Sequence, residues 1–195
     1  MLNPLDCYYL IHTYPDRFLH EELTRWLMSL GVNQNQWRTW PARDRNNHCN
    51  YNAAIHWLLH GQDRHDEFVI CDCDIQPHQS HMQDFWSSQA DIVGVRYPTE
   101  CDNAFDKPDM IHSALWRTTR QALEAIHEKF GTWFEWQFNA GQTQTTACLC
   151  RSLVEKARAV GLTIGQGGHA MHIPRKRIGP GDGFYSSRAA SPVQS

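Results

Sequence analysis

Two carboxylates separated by a single residue, Asp72 and Asp74, follow a short apolar run that spans residues 68–71. Carboxylates next to a buried strand cannot both stay unpaired, because an uncompensated charge away from water is costly. The pair therefore needs a cation, and a divalent metal ion that bridges to a phosphate would satisfy both acids. The spacing predicts a metal–nucleotide site at Asp72-Cys73-Asp74.

The segments around the acid pair should hold it at the edge of a sheet. Continuous apolar runs are typical of strands buried in parallel sheets, and ligands bind beyond the carboxyl ends of such strands. Before the acids, the pattern predicts two strand–helix units and then the strand that ends at Asp72. The predicted strands cover 7–12 and 36–40, and the predicted helices cover 17–30 and 50–60.

The same alternation continues after the acid pair and indicates an α/β fold. The longest predicted helix covers 111–130, because apolar residues recur there at helical spacing. The other predicted helices are 80–88 and 152–160, and the predicted strands are 90–97, 133–138, 145–150 and 162–164.

The C-terminal part of the chain changes in composition from Gly165 onward. It is rich in glycine and carries the basic run Arg175-Lys176-Arg177. We expect one catalytic domain over residues 1–174 and a flexible tail over 175–195. The start of the chain lacks the pattern of a signal peptide, and no segment reaches the length of a membrane helix, so a cytoplasmic location is expected.

Charge and cysteine content argue against nucleic-acid binding over the whole surface and against a zinc site. A net charge of -3 gives no global basic footprint for nucleic acid. None of the seven cysteines forms a C-x-x-C pair, so zinc ligation is disfavoured and buried free thiols are expected.

The order of these elements resembles that of small glycosyltransferases of the GT-A fold, which carry a D-x-D motif after the third strand. A strand soon follows the motif here, as in that family, and the segment Phe138-Asn139-Ala140-Gly141 with the strand and helix after it looks like a segment of several such families. The resemblance covers residues 8–172. It implies a single-domain α/β fold with a Rossmann-type mixed sheet flanked by helices.

The resemblance also implies a chemistry for the acid pair. In the family, two acids and Mn²⁺ or Mg²⁺ hold the diphosphate of a nucleotide sugar, most often a UDP-sugar. Hard oxygen ligands suit these metals, which neutralise the leaving diphosphate. Asp74 would be the direct metal ligand, and Asp72 would contact the ribose or bind the metal through water. A late histidine often completes the site, and His172 is favoured over His169.

The nucleotide should lie at the ends of the first two strands. Tyr14 follows the first strand and offers a stacking face, and Arg43 and Asp44 follow the second and offer hydrogen bonds to the base. Arg175, in the basic run, offers a guanidinium for the diphosphate.

The acceptor side should include Glu135 and Asn139, which we name as candidate catalytic residues. An inverting enzyme needs a carboxylate base for the acceptor hydroxyl, and the candidates are Glu135, Glu100, Asp106 and Asp109. The Phe138–Gly141 segment, in contrast, leans towards retaining enzymes. The stereochemical outcome therefore stays open. The acceptor also stays open among a glycan, a protein and a modified DNA base.

Two other interpretations fit parts of the sequence. A phosphatase of the haloacid-dehalogenase type also has D-x-D after an apolar strand, with Asp72 as nucleophile and Asp74 as general acid. That family begins with the motif, whereas two strand–helix units precede it here. The second alternative is a non-catalytic module that binds metal through cysteines and histidines, for which the ligand spacing is missing.

Overall fold

The computed structural model describes residues 1–13, 19–41, 47–61, 65–96, 110–138, 145–147 and 149–173. Within these ranges the chain forms nine strands and five α-helices. The strands are β1 (Cys7–Thr13), β2 (Trp37–Pro41), β3 (Glu67–Asp72), β4 (Ile75–Pro77), β5 (Ile92–Arg96), β6 (Leu115–Thr119), β7 (Gln137–Phe138), β8 (Thr145–Ala147) and β9 (Ile164–His172). The helices are α1 (Glu21–Ser29), α2 (Asn47–His60), α3 (Gln83–Ser87), α4 (Arg120–Phe130) and α5 (Leu149–Ala159).

Seven strands form one mixed sheet in the order β2-β1-β3-β6-β5-β9-β4, and β7 and β8 form a small hairpin-like pair. The first three strands of the chain lie side by side and parallel, so their carboxyl ends meet at one edge. β6 lies antiparallel between β3 and β5, and β9 runs parallel to β5 and antiparallel to β4. The predicted mixed α/β sheet is confirmed.

Helices cover both faces of the sheet, and β1 shows how the sequence divides them. All seven residues of β1 are buried, as expected for a central strand with two covered faces. Alternate residues point to opposite faces. Cys7, Tyr9 and Ile11 pack with α1 and α3, whereas Tyr8 and Leu10 pack with α2, α4 and α5.

The predicted helix over 111–130 is wrong in its first half. Leu115–Thr119 is the strand β6, and α4 begins only at Arg120, where the Thr119 side chain accepts a hydrogen bond from the backbone of Ala122 at 3.0 Å. The apolar spacing suited a helix, but β6 is rich in residues that favour strands, and pairing with β3 and β5 on both sides stabilises it there.

The last predicted strand, 162–164, is also different in the structure. The glycine-rich residues 165–172 form most of β9, which lies inside the sheet. The glycines serve close packing, since a Cβ on Gly167 would lie 2.5 Å from the backbone of Asp84 and Phe85 in α3. Residues 174–195 lie outside the description, so the boundary predicted at residue 174 stays a prediction.

Two other predicted strands are much shorter than expected. Only Gln137–Phe138 of the segment 133–138 is a strand, and Trp133 and Phe134 are buried in the preceding loop. β8 covers Thr145–Ala147, whereas Cys150 lies in α5.

The described cysteines have free thiols, as predicted, and all but Cys49 are buried. In the part of the chain that is described, no helix has the length and apolar content needed to cross a bilayer.

Candidate functional site

The acid pair lies in the tight turn that joins β3 to β4, at the carboxyl edge shared by the parallel strands. Its backbone is fixed from several directions. The Asp72 N–H donates to the Ala114 carbonyl at 2.8 Å, just before β6. The Cys73 N–H donates to the His12 carbonyl at 3.0 Å, and the Asp74 carbonyl accepts from Ile173 N at 2.8 Å. The turn therefore joins β1, β3, β6 and the end of β9.

The side chains of the acid pair are nearly enclosed. Asp72 and Asp74 are each 8 % exposed. The Tyr51 hydroxyl, from α2, donates a hydrogen bond to Asp72 Oδ1. The imidazole of His12, at the end of β1, places Nδ1 4.0 Å from the same oxygen. Three elements thus converge on Asp72.

His12 is a neutral neighbour of the acids. Its side chain is fully buried and stacks on the Tyr51 ring at a centroid distance of 4.5 Å and an interplanar angle of 10°. Burial lowers the pKa of His12 to about 4, although the nearby Asp74 charge acts in the opposite direction. At neutral pH His12 therefore adds no positive charge beside the carboxylates.

The predicted third ligand, His172, lies next to the acid pair along the backbone. β4 and β9 pair so that His172 is opposite Ile75, the residue that follows Asp74. Only the backbone of His172 is described. His169, the alternative, has an exposed side chain beside the His81 ring at 5.7 Å.

The donor set at the turn fits a hard divalent cation. Two carboxylates supply the oxygen ligands that Mn²⁺ and Mg²⁺ prefer. Among the side chains that the structure describes, no three histidines, cysteines or carboxylates are already grouped around one metal position. A complete ligand set therefore needs His172 or oxygens of the bound diphosphate and water.

Glu135, a predicted catalytic residue, lies in the loop before β7 with about half of its side chain exposed. Its carboxylate accepts a hydrogen bond from Thr132 Oγ1 at 2.6 Å and pairs with Lys156 Nζ at 2.9 Å. The Thr132 hydrogen bond and then Lys156 lower the pKa of Glu135. Its carboxylate is therefore a weaker base than an unpaired glutamate.

The loop that carries Glu135 is tied to α2 near the acid pair. Asn52 Oδ1 accepts from the backbone N–H groups of Trp133 and Phe134 at 3.1 and 2.9 Å. The Phe134 ring lies 5.1 Å from the Tyr51 ring, whose hydroxyl reaches Asp72. The structure thus brings this loop to the same side of the sheet as the acids.

The other predicted site residues lie outside the described residues. Tyr14 directly follows β1, and Arg43 and Asp44 follow β2 by two and three positions. Asn139 follows β7, and Arg175 follows β9 by three positions. Their roles stay predictions, although the strand ends that precede Tyr14, Arg43 and Asp44 share the edge of the acid pair.

Sequence reasoning missed Tyr51. A pattern nevertheless marks it, because Tyr51, Ile55 and Leu58 share the buried face of α2 at helical spacing. A tyrosine on an otherwise aliphatic face needs a partner for its hydroxyl. The sequence alone does not say that this partner is Asp72.

A cavity of about 630 Å³ lies along α2 beside β2. The rings of Trp40 and Trp57, 5.9 Å apart, form part of its wall. Asn50 at one end precedes Tyr51 in the chain, but neither acid lines the cavity. It is therefore separate from the acid pair.

Comparisons with solved structures find similar folds at low sequence identity. The catalytic domain of Drosophila beta1,4-galactosyltransferase 7 in complex with xylobiose matches with a TM-score of 0.59 and 15 % identity, over 88 % of this chain and 74 % of that chain. A mutant of that enzyme in complex with manganese, UDP-Gal and xylobiose matches with a TM-score of 0.57 and 14 % identity, over 86 % and 71 %. A197 from STIV matches with a TM-score of 0.54 and 13 % identity, over 87 % of each chain.

No family model matches the chain, and no curated protein matches it in sequence. The likeness therefore concerns the fold. This chain has the parallel strands β2, β1 and β3 and the antiparallel β6 in one mixed sheet. The chain has the fold of the catalytic domains of GT-A glycosyltransferases.

Proposed function

We propose that this protein is a metal-dependent glycosyltransferase that moves a sugar from a UDP-sugar to a hydroxyl group of an acceptor. One observation carries the proposal: Asp72 and Asp74 lie nearly buried in the turn after β3, at the edge of the sheet where ligands bind in α/β folds. A neutral His12 and a neutral Tyr51 hydroxyl flank Asp72. Neither of these two contacts adds a positive charge to the turn.

In this proposal Asp74 is the direct metal ligand. Asp72 contacts the ribose or a water on the metal, and His172 is the third protein ligand. A bound Mn²⁺ or Mg²⁺ would neutralise charge that develops on the diphosphate leaving group. The task of the chain is to hold the two carboxylates at a fixed separation, which the backbone bonds of Asp72, Cys73 and Asp74 accomplish.

The nucleotide would extend from the acids across the ends of β1 and β2. Tyr14, Arg43 and Asp44 are proposed to contact the base and ribose, and Arg175 the diphosphate. Support comes from the register of the sheet, in which His12 is opposite Asp72 and Trp40 is opposite His12. The residues after Thr13 and Pro41 therefore start beside the acid pair.

The acceptor would approach from the loop before β7. We propose Glu135 and Asn139 as the residues that meet it. The ion pair with Lys156 keeps Glu135 charged and fixed, which suits a hydrogen bond to an acceptor hydroxyl.

The structural neighbours support the donor and acceptor classes in general terms. One of them is in complex with manganese, UDP-Gal and xylobiose. Its identity to this chain is 14 %, so the sugar, the metal and the acceptor of this protein are proposals of their own. A carbohydrate hydroxyl is the acceptor we favour, and the described residues give no support for a modified DNA base.

The phosphatase alternative fits the structure less well. Asp72 ends the third strand of the chain, after two complete strand–helix units. Its Oδ1 accepts the Tyr51 hydrogen bond, which holds one oxygen of the proposed nucleophile in place. The alternative of a cysteine and histidine module has no grouped ligand set in the described part of the chain.

Thermal unfolding with a panel of nucleotide sugars tests the proposal. A ligand that binds only the folded state raises the unfolding temperature according to its saturation. We expect UDP-sugars to raise it in the presence of Mn²⁺ and to have little effect in the presence of EDTA. Stabilisation by sugar phosphates alone would favour the phosphatase, and no response to any nucleotide would contradict the proposed function.

A further inference from the structure

Tyr51 is the side chain that fixes the orientation of Asp72. It lies in the first half of α2, is 3 % exposed, and donates its hydroxyl hydrogen to Asp72 Oδ1. α2 comes directly before β3 in the chain, and the contact between Tyr51 and Asp72 depends on the docking of the helix on the sheet. The carboxylate plane of Asp72 is therefore set by a different element from the one that carries it.

The Tyr51 ring packs against two other buried rings. His12 stacks on it at 4.5 Å with nearly parallel planes. Phe134 packs against it at 5.1 Å with an interplanar angle of 36°. His12 and Phe134 are fully buried. Packing against β1 and the loop before β7 therefore restricts the position of the Tyr51 hydroxyl.

That loop is itself fixed to the helix. Asn52, the residue after Tyr51, accepts two backbone hydrogen bonds from Trp133 and Phe134 and donates one to the Phe134 carbonyl at 2.8 Å. Contacts of Tyr51 and Asn52 thus join α2 to β1 and to the loop before β7. Such contacts hold a side chain within a narrow range of positions, which a metal or phosphate site requires.

The chemistry of the donor matters as much as its position. A lysine or arginine at this place would orient Asp72 but would also neutralise it. A neutral hydroxyl fixes the carboxylate without adding a positive charge beside it. Groups that hydrogen-bond to metal-ligating carboxylates orient the ligands in this way, and their loss typically weakens metal binding by about 10–100-fold.

We propose that Tyr51 is a positioning residue that holds the Asp72 carboxylate in the orientation required for the metal–diphosphate complex. The inference rests on the proposed function, since it concerns the same acid pair. It goes beyond it by assigning a role to a helix residue that lies outside the D-x-D segment.

Tyr51→Phe tests this role, and Tyr9→Phe is its matched control. Both tyrosines are buried, and the Tyr9 hydroxyl donates to the Pro4 carbonyl at 2.9 Å, away from the acids. Mn²⁺ binding is measured by electron paramagnetic resonance, and Mn²⁺-dependent UDP binding by calorimetry. Circular dichroism fixes a temperature at which every variant is folded.

We expect Tyr51→Phe to weaken Mn²⁺-dependent UDP binding by about 10-fold or more, since Asp72 contacts the ribose or a water on the metal in the proposed function. Tyr9→Phe should leave this affinity within about twofold of that of the unmodified protein, since its hydroxyl lies away from the acids. Equal affinities for Tyr51→Phe and the unmodified protein would overturn the inference while the proposed function stands. If the unmodified protein itself binds neither Mn²⁺ nor UDP, the proposed function fails instead.

A double variant separates positioning from a general loosening of the fold. If Tyr51 acts through Asp72, adding Tyr51→Phe to Asp72→Asn should weaken Mn²⁺-dependent UDP binding little beyond Asp72→Asn alone, because coupled residues are not additive. Fully additive losses would show that Tyr51 acts by another route and would overturn the inference.

Discussion

At the scale of single residues, the site combines two carboxylates with a tyrosine hydroxyl and an uncharged imidazole. Asp72 and Asp74 were evident from the sequence because acids directly after an apolar run are rare and costly. The orientation of the Asp72 carboxylate was not evident from the sequence, since its contact with Tyr51 depends on packing between α2 and β3. Residue types and spacing therefore indicated the chemistry, but the supporting contacts needed the structure.

The prediction for single residues concerns the contribution of Glu135 to the stability of the fold. Its folded-state pKa is lowered by Thr132 and Lys156, so its contribution to stability is present at neutral pH and is lost as the pH falls through the lowered pKa. We expect Glu135→Gln to reduce the free energy of unfolding by no more than about 1 kcal/mol at pH 7, since the pair is partly exposed. The difference should shrink below about pH 4.

Urea unfolding of both proteins at pH 7 and pH 3 measures this effect. Glu124→Gln, an exposed position on α4, is the control and should change stability by less than about 0.5 kcal/mol. An equal loss for Glu135→Gln at both pH values would show that the ion pair is not the cause.

At the scale of elements, the glycines of residues 165–172 suggest a linker in the sequence but belong to a strand in the structure. The composition of 165–172 is typical of a linker, yet β9 pairs with β5 on one side and β4 on the other. Small residues are needed there because α3 packs directly on the backbone of the strand. Likewise, the apolar spacing of 111–130 fitted a helix, but sheet pairing stabilises β6.

Gly167→Ala tests whether β9 needs a glycine where α3 packs on its backbone. The added methyl group would lie 2.5 Å from backbone atoms of Asp84 and Phe85, which cannot move away as a flexible side chain would. We expect a loss of at least about 3 kcal/mol in the free energy of unfolding, at the upper end of overpacking effects. Weaker Mn²⁺-dependent UDP binding should accompany it, since the Ile173 N–H holds Asp74 from the end of the strand.

Gly131→Ala is the comparison for this variant. Gly131 has a φ of 72° and no atom within 4 Å of an added Cβ. Gly131→Ala should lower the free energy of unfolding by about 1–2 kcal/mol, because a residue with a Cβ is strained in a left-handed backbone conformation. Equal urea midpoints for the two variants would mean that α3 does not pack on β9 as closely as described.

At the scale of the whole molecule, the fold explains why distant segments form one site. Three parallel strands end at one edge, and the residues after β1, β2 and β3 all emerge there. The alternation of strands and helices made this arrangement predictable, because parallel neighbours share their carboxyl ends. The antiparallel insertion of β6 and the place of β9 depend on long-range pairing, which local patterns do not contain.

The central claim is that the turn after β3 holds a metal–diphosphate complex. Calorimetric titration of UDP in the presence of Mn²⁺, with the unmodified protein and the Asp74→Asn variant, tests it most directly. Asp66→Asn is the control, since Asp66 just precedes β3 at its other end with a side chain that is 87 % exposed. We predict that Asp74→Asn weakens binding by at least about 100-fold, more than is typical for supporting residues, and that Asp66→Asn leaves it unchanged. Undiminished Mn²⁺-dependent binding by Asp74→Asn would contradict the account.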